Sequence, residues 1–450
     1  MTLGVKHIFS LFFILHSFLS FTQNYSIYDS INKMPDSKTK SIQSLVEYIN
    51  ENADSDIEKA RGIYYWIANN IKYDLRSFVR DKKSNFEPED VFNKRKAVCA
   101  GYSNLYSYMC SLLKIRCELI SGYTYGSVYN IGQQLCESNH AWNAIYVDSK
   151  WRLIDVTWGS GYVKKNFFIR HFHKRFESKY FDVPPHFFVF NHLPEIPMWQ
   201  LLNYPLALKT FALSDVNIDK YLEKKKSEYY NFNDTIQQFY SKDIYDAVID
   251  FGNKAIRFNP NNKTPLAYAK LSIVEQNIKN KINSQLYNIV VLDSIIALTE
   301  SSIELLIRAR SSRKSVIETI ENYLDYGNNV LSELNFIRAK YYAKTISDGN
   351  VLSSDSLKFV MKKITKSAVK TLDFYKKIDN HETLIKKEEE LCVIILNLYD
   401  QLFYNFEIEE DIKTKRTIKK MATSLISFGK KYISEECSCN QKIQLLERLK

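Results

Sequence analysis

Apolar positions follow two spacings along this chain. Before about residue 205 they fall in short runs of helical or strand period, and from Leu206 the helical period holds to the C-terminus. Ser41–Ile49 and Ile57–Ile67 predict two helices, with Asp54 and Asp56 near the start of the second. Tyr102, Leu105, Tyr106, Met109, Leu112 and Leu113 make one stripe, so a helix is predicted to begin at or just before Cys99. Residues 81–85 form a charged loop leading into Phe86–Phe92, which positions the Cys99 loop. Glu118–Tyr125 reads as a strand, and the polar loop 126–137 after it rims the cleft, a place for substrate selection. His140–Val147 and Lys150–Thr157, rich in β-branched and aromatic residues, flank Asp148-Ser149 and predict a hairpin that Gly159-Ser-Gly161 ends. With Asp148-Ser149 as the turn, Val147 faces Lys150 and Asp155 falls opposite Trp142. His140 is then the diagonal neighbour of Asp155 on one sheet face, and a slip of one residue would part them.

Those positions carry candidate chemistry. A cysteine at a helix N-terminus faces unpaired N–H groups and the positive end of the dipole, which favour the thiolate, the reactive form. Ala100 and Gly101 leave room there for a substrate backbone. Cys99 by itself fits a buried apolar cysteine equally well. His140 and Asp155 shift that balance, because a carboxylate on one imidazole nitrogen fixes the tautomer and frees the other nitrogen for the thiol proton.

Val98-Cys99-Ala100-Gly101-Tyr102, Asn139-His140-Ala141-Trp142-Asn143 and Leu153-Ile154-Asp155-Val156-Thr157-Trp158-Gly159 resemble the three blocks of the transglutaminase-like superfamily. The branch most resembled holds bacterial exported proteins and the kyphoscoliosis peptidase group. The resemblance extends upstream to Ala60–Asp74 and downstream to Phe187–Leu202, covering about residues 35 to 205. It implies an α+β, papain-like core, with a Cys-bearing helix packed on an antiparallel sheet that bears His and Asp. It also implies Cys99 as nucleophile, His140 as general acid/base and Asp155 as its orienter. Trp66, Tyr102, Trp142 and Trp158 are the candidates for binding substrate; for Trp66 and Tyr73, packing against the Cys99 helix fits as well.

Length and composition add the remaining expectations. At 450 residues the chain exceeds one ordinary core. It divides into a signal segment over 1–22, a transglutaminase-like domain over 23–205 and an all-α domain over 206–450. Lys6 and His7, the apolar run Ile8–Leu19 and small residues before Gln23 read as a cleaved export signal, for a periplasmic or secreted protein. No later run is apolar and long enough to span a bilayer. Tyr245–Pro260 with Pro265–Lys270 resembles one tetratricopeptide-type hairpin without a regular second copy, hence an irregular helical domain serving as scaffold or protein-partner surface. The formal charge of +11 is spread through both halves with no base-reading module, which argues against nucleic acid. Seven cysteines are an odd number, leaving Cys99 as the natural unpaired one; Cys110 reads as core, and Cys117 and Cys136 are placed to pair. No cofactor or metal is expected: no calcium-binding loop is evident, His171-Phe-His173 reads as a basic surface loop, and Cys437-Ser-Cys439 lacks a second ligand pair. The expected function is an exported cysteine enzyme acting on amide bonds of protein or peptide substrates, by hydrolysis or by transfer to an amine. The alternative is a peptide-binding or envelope assembly protein that keeps the fold without turnover.

Overall fold

A computed structural model describes residues 26–81, 86–125, 134–166, 169–213, 228–284, 287–347, 354–377, 381–437 and 443. The expected signal segment, residues 82–85 and most of the loop 126–137 lie outside the described residues.

The N-terminal helices form where the periodicity places them. Ser41 starts α1 (Ile42–Glu51), its side-chain oxygen accepting the Ser44 N–H at 3.1 Å, and α2 (Asp56–Asn70) opens on acidic residues that complement its dipole. A short helix α3 (Pro88–Lys94) precedes α4 (Cys99–Leu112). Leu45 and Ile49 of α1, Ile63 and Ile67 of α2, and Leu105 and Met109 of α4 share one core, every one of them at 0% exposure. That apolar contact fixes α4, and with it Cys99, against the rest of the domain.

One face of that core is an antiparallel sheet. Its strands are β1 (Arg116–Thr124), β2 (His140–Val147), β3 (Lys150–Ile154), β6 (Phe181–Val183) and β7 (His192–Pro194), in the order β6-β3-β2-β1-β7. Val147 pairs with Lys150 and Asn143 with Ile154, the register that the turn residues predict. Asp148 at φ 52° and Ser149 at φ 59° hold the left-handed pair of a type I′ turn, whose twist suits a two-residue hairpin.

Three local expectations are corrected. The second hairpin strand stops at Ile154: Asp155 leaves the sheet and caps a helical turn, α5 (Val156–Gly159), by accepting the Trp158 N–H at 2.9 Å. His171 and His173 lie on a strand, β5 (Ile169–Lys174), paired with β4 (Gly161–Asn166), because aromatic and aliphatic residues between the basic ones favour extended pairing over a loop. Cys117 and Cys136 are both free; the Cys117 sulfur meets Cys110 and the Asn143 amide instead.

Two glycines permit close approaches that shape the site. At Gly122, opposite His140 in the sheet, a Cβ would lie 2.3 Å from the Trp142 ring, so only glycine lets that indole lie across β1. At Gly159 it would lie 2.0 Å from the Tyr64 hydroxyl, which donates to the Glu177 carbonyl at 2.5 Å. Gly159→Ala is expected to cost about 1–3 kcal/mol, measured by urea unfolding, because a buried tyrosine has to move.

The described chain divides into two compact units. The first runs to Asp243 and takes in 254–262 and 310–315; the second holds 244–253, 263–309 and 316–450. Packing therefore continues past Leu206, where the sequence changes character: Leu206 and Phe211, both at 0% exposure, join Tyr123, Val189 and Leu193 in one cluster. Asn259 and Asn262 likewise donate to the Tyr123 hydroxyl at 2.8 and 3.1 Å, and Asn262 donates to Glu195 at 2.9 Å. Most of the second unit is helical, built from α6 (Thr264–Asn277), α7 (Ile289–Ile307), α8 (Lys314–Ser347), α9 (Ser354–Lys377), α10 (His381–Ile408) and α11 (Ile412–Tyr432). Ile364, Leu391, Leu398 and Leu425 anchor the core of the last three of these. No described helix is long and apolar enough to cross a membrane.

Candidate active site

Cys99 is the first residue of α4, and Val98 before it is extended, so the sulfur lies at the open N-terminus of the helix. His140 is the first residue of β2. The Asn139 side chain accepts the Thr124 N–H at 2.8 Å and returns its own amide to the Thr124 carbonyl at 3.0 Å, clamping that strand end to β1. Asn143, fully buried, donates to the Ser103 carbonyl inside α4 at 3.1 Å. The two asparagines flanking His140 thus do separate work: one fixes the strand end, the other ties the strand to the cysteine helix.

Asp155 completes the line. The His140 Nε2 lies 2.8 Å from Asp155 Oδ2, which leaves Nδ1 for the hydrogen bond to Cys99. Cys99 is half-buried, while His140 and Asp155 are buried. Cys99, His140 and Asp155, the three residues that the sequence nominates for chemistry, therefore form one connected set.

The electrostatics follow from this packing. Burial pushes the Cys99 thiol up, but the hydrogen bond and charge of His140 and the Ala141 backbone N–H outweigh it, so its pKa falls below the ordinary thiol value. Burial pulls His140 down, yet the charge and hydrogen bond of Asp155, with Cys99 beside it, raise it to about 10. Burial would raise Asp155, and the two imidazoles on it hold the carboxyl well below the usual carboxylate range. A thiolate–imidazolium pair over a buried carboxylate is the favoured charge state.

One residue at this centre has no place in the sequence reading. His192, the first residue of β7 and 0% exposed by its side chain, brings its Nε2 to 2.9 Å from the same Asp155 Oδ2. Its ring stacks on Phe188, centroids 3.9 Å apart, and lies 4.4 Å from Trp158. The signal for it was a histidine inside the run Phe187–Leu202 that the resemblance covers. His140, Asp155 and His192 each offer an atom within 4.8 Å of the others, but the 2.8 and 2.9 Å separations are those of hydrogen bonds rather than of ligands round an ion.

Beside His140 opens a cleft of about 860 Å³, walled by Tyr73, Phe78, Trp158, Phe172 and Tyr180 and edged by Arg170, Arg175 and Lys179. Trp158 is the one of the four proposed binding aromatics on this wall. Trp66, Tyr102 and Trp142 are interior: Trp66 stacks on Phe92 at 5.3 Å, Tyr102 donates to the Ile71 carbonyl at 2.7 Å, and Trp142 lies over Gly122. Helical and strand periods bury large aromatics before they expose them, and so these three were drawn inward.

The family model described as the transglutaminase-like superfamily matches residues 43–156, the stretch from α1 through the cysteine, histidine and aspartate. These residues are a transglutaminase-like domain. Kyphoscoliosis peptidase of Mus musculus is 35% identical over 191 residues, 42% of this chain and 27% of the relative. Its Homo sapiens counterpart is 34% identical over the same shares. The chain thus spans about a quarter of the length of these curated relatives. A solved structure titled a putative cysteine protease from Cytophaga hutchinsonii aligns with 30% of this chain and 43% of its own, at 22% identity and a TM-score of 0.20. The transglutaminase-like domain holds its sulfur, imidazole and carboxylate in the order that thiol acyl chemistry needs.

Proposed function

We propose that this chain is a cysteine-nucleophile enzyme acting on amide bonds of protein or peptide substrates through a thioester. The observation that supports the reading is the buried chain of hydrogen bonds from Cys99 through His140 to Asp155. The Cys99 thiolate attacks the carbonyl carbon, forming the C–S bond. His140 gives its Nδ1 proton to the departing amine as the C–N bond breaks, and then takes a proton from the incoming acceptor as its oxygen or nitrogen bonds to the carbonyl carbon and the C–S bond breaks, returning the Cys99 thiolate. In this reading the Cys99 backbone N–H, at the first position of α4, donates to the oxyanion. Water as acceptor gives a peptidase or amidase, and the relatives named kyphoscoliosis peptidase support that outcome. An amine as acceptor gives transglutaminase-like transfer. Export, read from Lys6 to Gln23, and a protein partner for the helical region belong to the same proposal.

The test pairs dansyl-amine incorporation into casein with hydrolysis of a peptide library, for native protein and Cys99→Ala. Activity in either assay that is lost in Cys99→Ala is expected, and which assay responds assigns the acceptor. Equal turnover by native protein and Cys99→Ala would remove Cys99 from the mechanism.

A further inference from the structure

We propose that His192 is a positioning residue that holds the Asp155 carboxylate in place and ionised for His140, a role that rests on the reading of Cys99, His140 and Asp155 given above. Asp155 Oδ1 is occupied by the Trp158 N–H at 2.9 Å, and Oδ2 receives both imidazoles, His140 at 2.8 Å and His192 at 2.9 Å. The carboxylate therefore has three donors from three different elements, α5, β2 and β7, and is 0% exposed. Bulk solvent does not reach it. With His192 removed, Oδ2 keeps a single imidazole, and the carboxylate becomes free to rotate about its side-chain bond or to take up a proton, either of which weakens its hold on His140.

The protonation of His192 follows from its neighbours. A carboxylate oxygen only accepts, so Nε2 must carry the proton. Burial, with the His140 imidazolium beside it, brings the His192 pKa down to about 4 against the upward pull of Asp155. Nδ1 lies 2.5 Å from the side-chain amide of Asn191, and with that amide turned to present its NH₂ to Nδ1 the ring is an uncharged Nε2–H donor at neutral pH. The other ionisable groups facing Asp155 are Cys99 and the hydroxyls of Tyr64, Tyr73 and Tyr180, and burial raises all three tyrosines, which stay neutral. His192 thus strengthens the carboxylate without adding a second cation to compete with His140. It is also not among the residues that wall the cleft, so it bears on kcat rather than KM.

Two variants separate this role from packing. His192→Phe keeps a flat ring for the stack on Phe188 and Trp158 and deletes the donor; His192→Gln breaks the stack and keeps an N–H for Asp155. The readout is the rate of iodoacetamide alkylation at Cys99, followed by peptide mass spectrometry against pH, with circular dichroism to measure the folded fraction. Loss of the donor is expected to move the acid limb of His192→Phe up by about one pH unit, a rate about tenfold lower near pH 6. His192→Gln is expected to recover to within about threefold of native. Where a substrate is in hand, kcat falls by the same factor in His192→Phe while KM holds. A native curve for His192→Phe, or equal impairment of both variants, overturns the proposal. In native protein with 15N-labelled histidine, an Nε2–H tautomer of His192 at pH 7 supports it and an Nδ1–H tautomer overturns it, whatever the variants do. Alkylation needs no substrate, so absence of acyl transfer and hydrolysis in native protein would count against the proposed function and leave this comparison intact.

Discussion

His140→Ala is expected to lower turnover on any amide substrate by about 10⁴-fold or more, while far-ultraviolet circular dichroism stays native. The loss exceeds that of an ordinary general acid because the imidazole does two things in this site. It lowers the Cys99 pKa through a hydrogen bond and a charge, and it carries the proton to the leaving amine. Its titration also sets a pH dependence of stability. The folded His140 is raised to about 10 from an unfolded value near 6.5, so its contribution is fully present below about pH 6.5 and is lost as pH rises through 10. His192 works with the opposite sign. Its folded pKa of about 4 lies below the unfolded value, so its contribution is present above about pH 6.5 and is lost as pH falls toward 4. Melting curves against pH are expected to lose their alkaline dependence between pH 7 and 10 in His140→Ala. An unchanged alkaline limb would mean that Asp155 does not hold a protonated His140.

Asp155→Asn is expected to reduce turnover by about 10²- to 10⁴-fold, with KM little changed, measured by steady-state kinetics on the substrate found in the paired assays. An amide offers an oxygen or an NH₂ where two imidazoles now point at one carboxylate oxygen. With the NH₂ on that side, both imidazoles meet a donor and His140 turns the wrong nitrogen to Cys99. With the oxygen on that side, the geometry survives but the negative charge that raises His140 is gone. The Trp158 N–H bond that caps α5 depends on the other oxygen, so the same variant is expected to lower the melting temperature. A variant with native kcat would show that Asp155 is a helix cap and nothing more.

The centre of the site was legible because local chemistry set it. Asp148-Ser149 allowed a single tight turn, that turn fixed the register from Val147↔Lys150 to Asn143↔Ile154, and Asp155, leaving the strand directly after Ile154, meets His140 from the cap of α5. Cys99 was legible from the stripe Tyr102, Leu105, Tyr106 and Met109, whose burial sets where the helix must start. The features that escaped depend on contacts distant in sequence. His192 reaches Asp155 across 37 positions from a strand of three residues, and nothing near it in the chain marks a buried histidine as a hydrogen-bond donor. The interior place of Trp142 depends on a small partner, Gly122, that opens room for its ring, and Trp66 is held by stacking on Phe92, a residue 26 positions away. The extent of the first compact unit escaped for the same reason: Asn259 and Asn262 sit in sequence of helical character, yet their amides go to Tyr123 and Glu195. The pairing of Cys117 with Cys136 was suggested by nearness along the chain, whereas β1 points the Cys117 sulfur inward toward Cys110 and Asn143.

The central claim is that Cys99 is a thiolate because His140 lies beside it as an imidazolium. Cys110, Cys117 and Cys136 are also free, so the direct measurement is the pH dependence of iodoacetamide alkylation mapped to Cys99 itself, in native protein and in His140→Ala. Native protein is predicted to react at pH 6 to 7, well below the ordinary thiol value of about 8.5, and His140→Ala to shift its curve upward toward that value. Superimposable curves for the two proteins would contradict the account.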